Sequence, residues 1–446
     1  MNREIVFKLF LWLLVVLFTV SLSSQDIDSL TQLEELLEFG IESEVVSRIK
    51  EMPNNPPDNI LKMIISRYEQ GSSTIKRAIL DYFAGMDKPP QHIIDLVYNA
   101  ANSEIIDRTY RVAVFNTLGK IGSVREGQFL LEKLNDFDTV VSNTAADALS
   151  RIKDPLLAEH ILERLKQSDT DPEKYLIPDV AGKLVISLGE MKAEIAVDYL
   201  RSILRDKTRD KFLLGFTSVS LAKIGNEDSI EDIASNIEHP EIIVQNYSCN
   251  ALSLFISPKV VPFLEQMLRS SNENSRIYGC IGLMNNKSLA SIKIITYKFA
   301  NDPSVKVKTQ ALESLLSFGQ PGVTVVKERI KEKDLNDNTV YQISNAVAKN
   351  PNPESVAYLT EIYNRVDKKK KEIISKSVVR SSSSFIDPFI RILFGSEDYL
   401  IRIGAIRAVT MIKDTTLWDD LVKISESDPV EIVRKNAKNI LSYRKL

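Results

Sequence analysis

The chain has 446 residues, 44% of them hydrophobic and 26% charged, which is ordinary for a folded soluble protein and enough to bury a sizeable core. A formal net charge of −3 argues against a dedicated nucleic-acid binder, whose footprint is a strongly basic surface. Sixteen Gly and seventeen Pro are too few for a low-complexity domain.

Residues 1–23 read as an export signal. Arg3 and Lys8 give a positive start, and Leu9 to Val20 is an unbroken apolar run. Ser21-Leu22-Ser23 places small residues where signal peptidase needs them, with cleavage expected after Ser23. Twelve apolar residues fall short of the roughly 20 that span a bilayer, which disfavours the alternative of an uncleaved anchor. No Cys lies near the junction to be acylated. The expected address is the periplasm, with secretion or membrane anchoring as alternatives.

Residues 24–69 predict a divergent helical N-terminal cap. Leu30 to Phe39, Val45 to Ile49 and Ile60 to Tyr68 look helical and are split by Pro53 and Pro56-Pro57. Near residue 83 an apolar stripe survives as Ile75, Ile79, Phe83 and Met86.

A small-then-apolar pair then returns through three quarters of the chain. It appears as Thr117-Leu118, Ala148-Leu149, Ser187-Leu188, Ser220-Leu221, Ala251-Leu252, Gly282-Leu283, Ser314-Leu315, Ala346-Val347, Val378-Val379, Ala408-Val409 and Asn439-Ile440. Successive second members lie 31, 39, 33, 31, 31, 32, 32, 32, 30 and 31 residues apart. With the second member as position zero, offsets −8, −4, −1, 0 and +3 define one stripe of an α-helix. Small residues at −4 and −1 admit a close neighbour. A second amphipathic segment follows each break, as at Leu156 to Leu165, Val260 to Leu268 and Val323 to Ile330. Breaks such as Lys153-Asp154-Pro155 and Asn301-Asp302-Pro303 supply a cap and an opening proline. The unit is helix, turn, helix, and such a period means a stacked array. Its last member, with Asn436 and Asn439 at the small positions, is polar enough to stop the stacking.

Thr109 to Gly122, Phe212 to Gly225 (ending Ser-Leu-Ala-Lys-Ile-Gly) and Asp302 to Gly319 resemble the second helix of a short HEAT repeat, of the kind shared with phycobilisome-lyase proteins. The resemblance covers about residues 70–446. It implies an all-α fold, a right-handed α-solenoid (superhelix) of about 11–12 HEAT-like helix-turn-helix repeats. The Trp-Leu-Gly-Tyr signature of tetratricopeptide repeats is absent.

Cys249 and Cys280 stand one repeat apart, too far for a disulfide across stacked helices, and are expected to be buried free thiols. The 39-residue step holds an insertion at 167–178 with Asp169, Asp171 and Glu173. It lacks the glycine and distant glutamate of a calcium loop, and Asp171-Pro172-Glu173 reads as a helix start. His92, His160 and His239 fall in three repeats, so no metal site, catalytic triad or cofactor site is expected. Lys368, Lys369, Lys370 and Lys371 form the densest charge run, a candidate patch for anionic lipid or glycan. Ser382 replaces the apolar +3 residue there, marking a weak point.

Positions −6 and −2 line the concave face in HEAT arrays. Here that ridge is short of charge between 182 and 281. Ile186, Val219, Ile277 and Ile281 are apolar, and Gly182 and Gly215 suggest a hollow. Asn116, Asn246, Asn250, Tyr341 and Asn345 complete the candidate partner-binding ridge, the amides of Asn116, Asn250 and Asn345 suited to the backbone of an extended peptide. Phe216, Tyr247 and Tyr278 share position −5, read as packing between helices in preference to a stacking ladder for a ligand. The expected function is a non-enzymatic exported scaffold for protein partners, with no cofactor, no nucleic acid and no membrane span in the mature chain. Two alternatives stay open: a lyase- or chaperone-like handler of a prosthetic group, and an envelope protein docking anionic glycan or lipid.

Overall fold

The computed structural model describes residues 31–103 and 107–443. The expected export signal lies outside them. Among the described residues no helix is long and apolar enough to cross a membrane. The chain divides into two compact units, Met1–Asp198 and Tyr199–Leu446, both built from helix pairs.

In the first unit, Glu42–Lys50, Ser73–Phe83, Arg108–Ile121, Thr139–Leu149 and Pro178–Glu190 are the second helices, each packed on the next. The pairing begins at residues 31–39, ahead of the periodic signal, where Leu37, Val45 and Ile49 are buried without small partners. The small residue at −1 has a direct cause. Thr117 Oγ1 donates to the Leu80 carbonyl (3.3 Å) and Ser187 Oγ to the Leu149 carbonyl (3.3 Å), each on the preceding second helix. A Cβ added at Gly119 would lie 2.6 Å from Ala148 Cα, so the backbones meet with nothing between them. The insertion at 167–178 is pinned on the preceding repeat, Asn135 donating to the Glu173 carbonyl (2.9 Å) and Arg164 to the Lys174 carbonyl (2.8 Å). Asp171 caps a single turn at Pro172–Lys174, as its helix-start pattern predicts, and Pro178 opens the long helix.

In the second unit the second helices are Lys211–Ile224, Ile242–Leu254, Glu273–Asn285, Val305–Ser317, Asp337–Lys349, Lys368–Val378, Tyr399–Ala408 and Glu431–Tyr443. Most neighbours in this column touch along their lengths, whereas neighbouring first helices meet at few points, so the second helices form the tighter side of this unit except between Lys368–Val378 and Tyr399–Ala408. Ser314 Oγ repeats the link seen at Thr117, donating to the Cys280 carbonyl at 3.1 Å. Gly225 and Gly319, each four places past its anchor, have φ of 87° and 70°.

Two expected registers shift by one residue. In Lys368–Val378 the buried pair is Ser377-Val378, with Ile374 beneath it and Val379 half-buried. The +3 position is therefore Ser381, whose buried hydroxyl has no partner, and Ser382 is exposed. In Glu431–Tyr443 the buried residues are Val433 and Ala437, leaving Asn439 exposed. Adjacent apolar residues made both registers ambiguous, and packing on the preceding helix decides them.

Candidate partner-binding face

The ridge residues divide between the units. In the first, Asn116 and Ile186 are half-buried on Arg108–Ile121 and Pro178–Glu190, and the side-chain Oδ1 of Asn116 accepts from Arg151 Nη1 at 2.8 Å. In the second, Val219, Asn246, Asn250, Ile277 and Ile281 are half-buried on three successive second helices. From Phe212 to Ile281 the −9, −6, −5 and −2 positions of those helices carry no charge. Phe212 is 45% exposed at one margin of this face.

The asparagines are not equivalent. Asn246 accepts from Asn272 Nδ2 at 3.0 Å and is committed to the array. Among the described residues nothing bonds the side-chain amides of Asn250 and Asn345, which remain available to a ligand backbone. Farther along, Glu313 is 7% exposed and held by Lys349 (3.0 Å) and Asn350 (2.9 Å), which ends the uncharged stretch. Tyr341 stands 47% exposed beyond it.

The hollow expected at Gly215 is filled. A Cβ there would come 2.5 Å from Tyr247 Cδ2, so the glycine exists to seat the Tyr247 ring in the groove between Lys211–Ile224 and Ile242–Leu254. Tyr247 packs edge-on against Phe216, centroids 5.5 Å apart at 77°. Gly182 is buried too.

Lys368–Lys371 is largely compensated. Lys368 pairs with Asp398 (3.5 Å), Lys369 with Asp337 (2.5 Å) and Lys370 with Asp367 (2.5 Å), while Lys371 lies over the Tyr363 ring, 5.3 Å from its centroid. A cleft of about 470 Å³ beside Lys368 and Lys371 also exposes Glu397 and Asp398, so its lining has mixed sign.

Both thiols are free and buried, and Cys249 contacts Ser275 Oγ at 3.3 Å. Burial pushes them up, Cys249 to about 11 and Cys280 to about 12, which leaves both protonated and unreactive at neutral pH. His160 bonds Gln128 at 2.7 Å and His239 accepts from the Glu241 amide at 3.1 Å, each within its own part of the array. Among the described residues no group of three His, Cys, Asp or Glu is placed to hold a metal ion.

Sequence reasoning missed a pair of buried ionic clamps. Arg276 grips Asp302 with two bonds (2.9 and 3.0 Å) and donates to the Ser270 and Ser271 carbonyls. Arg402 and Asp428, 126 residues later, repeat this geometry at 2.8 and 3.0 Å with the Ser396 and Glu397 carbonyls. Each aspartate also accepts from a backbone amide just ahead of the next second helix, at Ser304 and Val430. The available signal was an arginine seven or so residues before the anchor with an aspartate 26 residues on. These clamps hold neighbouring second helices in the register that displays the ridge.

No family model matches the sequence, and comparison with curated proteins finds no match. Solved structures do match. The complex of CpcE and CpcF of phycocyanin lyase from Nostoc sp. PCC7120 is 20% identical, over 53% of this chain and 93% of that one, with a TM-score of 0.32. Karyopherin Kap121p bound to Pho4p is 12% identical over 92% of this chain, with a TM-score of 0.39. This chain spans about half of it, 52%. Human deoxyhypusine hydroxylase in complex with glycerol is 17% identical over 66% of this chain and 99% of that one, with a TM-score of 0.26. Among the described residues the architecture is an all-α array of stacked helix pairs.

Proposed function

We propose that this chain is an exported, non-enzymatic scaffold of the periplasm, which holds a protein partner on the second-helix face of its second unit. One observation carries the reading. Three consecutive helices present an uncharged face of Val219, Ile277 and Ile281 with the unbonded amide of Asn250 among them. A solvated helix face normally carries charge, and an uncharged half-buried strip gains most when an extended segment covers it. The apolar side chains supply burial and the amide supplies backbone pairing. Asn116 and Ile186 offer a second, smaller surface on the first unit. The charge compensation around Lys368–Lys371 argues against an anionic lipid or glycan as the main ligand.

The test is recovery of partners from an envelope fraction by wild type and by Ile277→Asp/Ile281→Asp, after circular dichroism confirms that both fold. A specific protein recovered by wild type and lost by the variant is the expected result. Equal recovery by both overturns the assignment of the ridge. A retained coloured ligand with no protein recovered overturns the scaffold itself.

A further inference from the structure

Second helices of the second unit turn positions −7 and −3 toward the next repeat. Ser218 at −3 meets Ser248 of the following second helix (3.1 Å), and Arg276 and Arg402 at −7 reach Asp302 and Asp428. Glu431–Tyr443 is the last described helix. With Val433 and Ala437 buried at −8 and −4, its −7 residue is Arg434 and its −3 residue is Lys438.

Arg434 forms half of a clamp. Like Arg276 and Arg402 it is the fourth residue of its helix, and its Nη1 donates to the carbonyl six residues back, Asp428, as theirs do to Ser270 and Ser396. The other half is open. Among the described residues no carboxylate bonds Arg434, which is half-buried, whereas the paired Arg276 and Arg402 side chains are each 9% exposed. Lys435 is paired with Glu431 (2.9 Å), and from Arg434 to Leu446 the sequence has five basic residues and no acidic one. Lys438 stands where Cys280 and Ile406 do, so this face offers charge where the earlier ones bury apolar surface.

The completed clamps define the occupant. Both take an aspartate followed by proline just ahead of a helix, Asp302-Pro303 and Asp428-Pro429, with the carboxylate held by two arginine bonds and accepting from the amide two residues on. We propose that Arg434 docks a partner protein through an aspartate of this kind, at the start of an acidic helix that stacks on Glu431–Tyr443 as a further repeat would. The guanidinium gives a forked, geometrically selective grip on the carboxylate, and Lys438, one turn along, favours a second acidic side chain. The inference rests on the scaffold reading for the existence of a protein partner, whereas the arginine's preference is set by the chain itself.

The experiment titrates the full chain, with labelled arginine side chains, with N-acetyl-Asp-Pro-Glu-Glu-amide and with its uncharged counterpart N-acetyl-Asn-Pro-Gln-Gln-amide. The Arg434 Nε signal is assigned through Arg434→Lys. The acidic peptide is expected to shift it saturably at roughly millimolar concentration, as befits so small a ligand, and the amide peptide is not. Anisotropy of the fluorescently labelled acidic peptide gives the affinity, which Arg434→Gln is expected to lower about tenfold or more, as loss of a charge-assisted pair implies. Lys435→Gln removes the same charge one residue away and is expected to change it about twofold, with both variants retaining the helical dichroism of wild type. Ile277→Asp/Ile281→Asp is expected to leave peptide binding intact, which separates this site from the ridge. No saturable shift in wild type, or equal loss in the two glutamine variants, overturns the proposal. Recovery of the same envelope proteins by wild type and Arg434→Gln overturns the assignment to a partner. So does self-association in sedimentation that Arg434→Gln abolishes, which gives the site to a second copy of this chain.

Discussion

Removing the Asp302 carboxylate should cost far more than removing that of the half-buried Asp138, although both link neighbouring second helices through an arginine. Asp302→Ala deletes both bonds to Arg276, the Lys298 pair at 3.4 Å and the bond from the Ser304 amide at 3.0 Å. The Arg276 side chain, 9% exposed, is left with two carbonyls and an uncompensated charge. Breaking a buried pair costs about 3–5 kcal/mol and losing a hydrogen bond about 1 kcal/mol, so about 4–6 kcal/mol is expected. Arg108 is 55% exposed in its pair with Asp138 (2.8 Å), and Asp138 also caps Val140. Its loss should cost about 1–2 kcal/mol. An array of nearest-neighbour contacts opens locally, so the assay is hydrogen exchange of amides in Glu273–Asn285 and Val305–Ser317, with urea unfolding beside it. Arg276→Met/Asp302→Leu removes both charges and should lie within about 2 kcal/mol of wild type, since the bonds to the Ser304 amide and Lys298 are then the main losses. If Asp302→Ala and Asp138→Ala differ by less than about 1 kcal/mol, burial is not what gives this clamp its strength.

The same clamps set an acid limit. Burial pushes the Asp302 and Asp428 carboxyls up, but the Arg276 and Arg402 guanidiniums and the amides of Ser304 and Val430 outweigh it and hold both below the usual carboxylate range. A carboxyl whose folded pKa is depressed contributes stability above its unfolded value of about 3.9, and that contribution disappears as pH falls through the folded value. The urea midpoint should therefore drop as pH falls below about 4, less steeply in Asp302→Asn/Asp428→Asn, and parallel curves would count against this origin. Cys249 and Cys280 should resist alkylation at pH 8 in the native state and react at the unfolding rate. Rapid modification of either would contradict their burial.

The second-helix periodicity was legible because it is local. Apolar residues at −8, −4, 0 and +3 must share a helix face, and a small residue at −1 must touch the neighbour, as Thr117, Ser187 and Ser314 do. The N-terminal pairs were less legible, because Leu37, Val45 and Ile49 bury apolar surface without that small residue. Of the ridge, the lack of charge from Phe212 to Ile281 could be read directly. Which asparagines are free could not, since Asn246 is taken by Asn272 from the next repeat.

What the residues determined by themselves is the repeating unit, its all-α character and which helix face is apolar, because each follows from spacing along one helix. Tertiary structure decided whatever depends on the neighbouring repeat. It chose Val378 over Val379 as the anchor, joined Arg276 to Asp302 across 26 residues, and compensated the lysine run through Asp337 and Asp398. It also filled the hollow that Gly215 suggests, because the adjacent helix brings the Tyr247 ring into that groove.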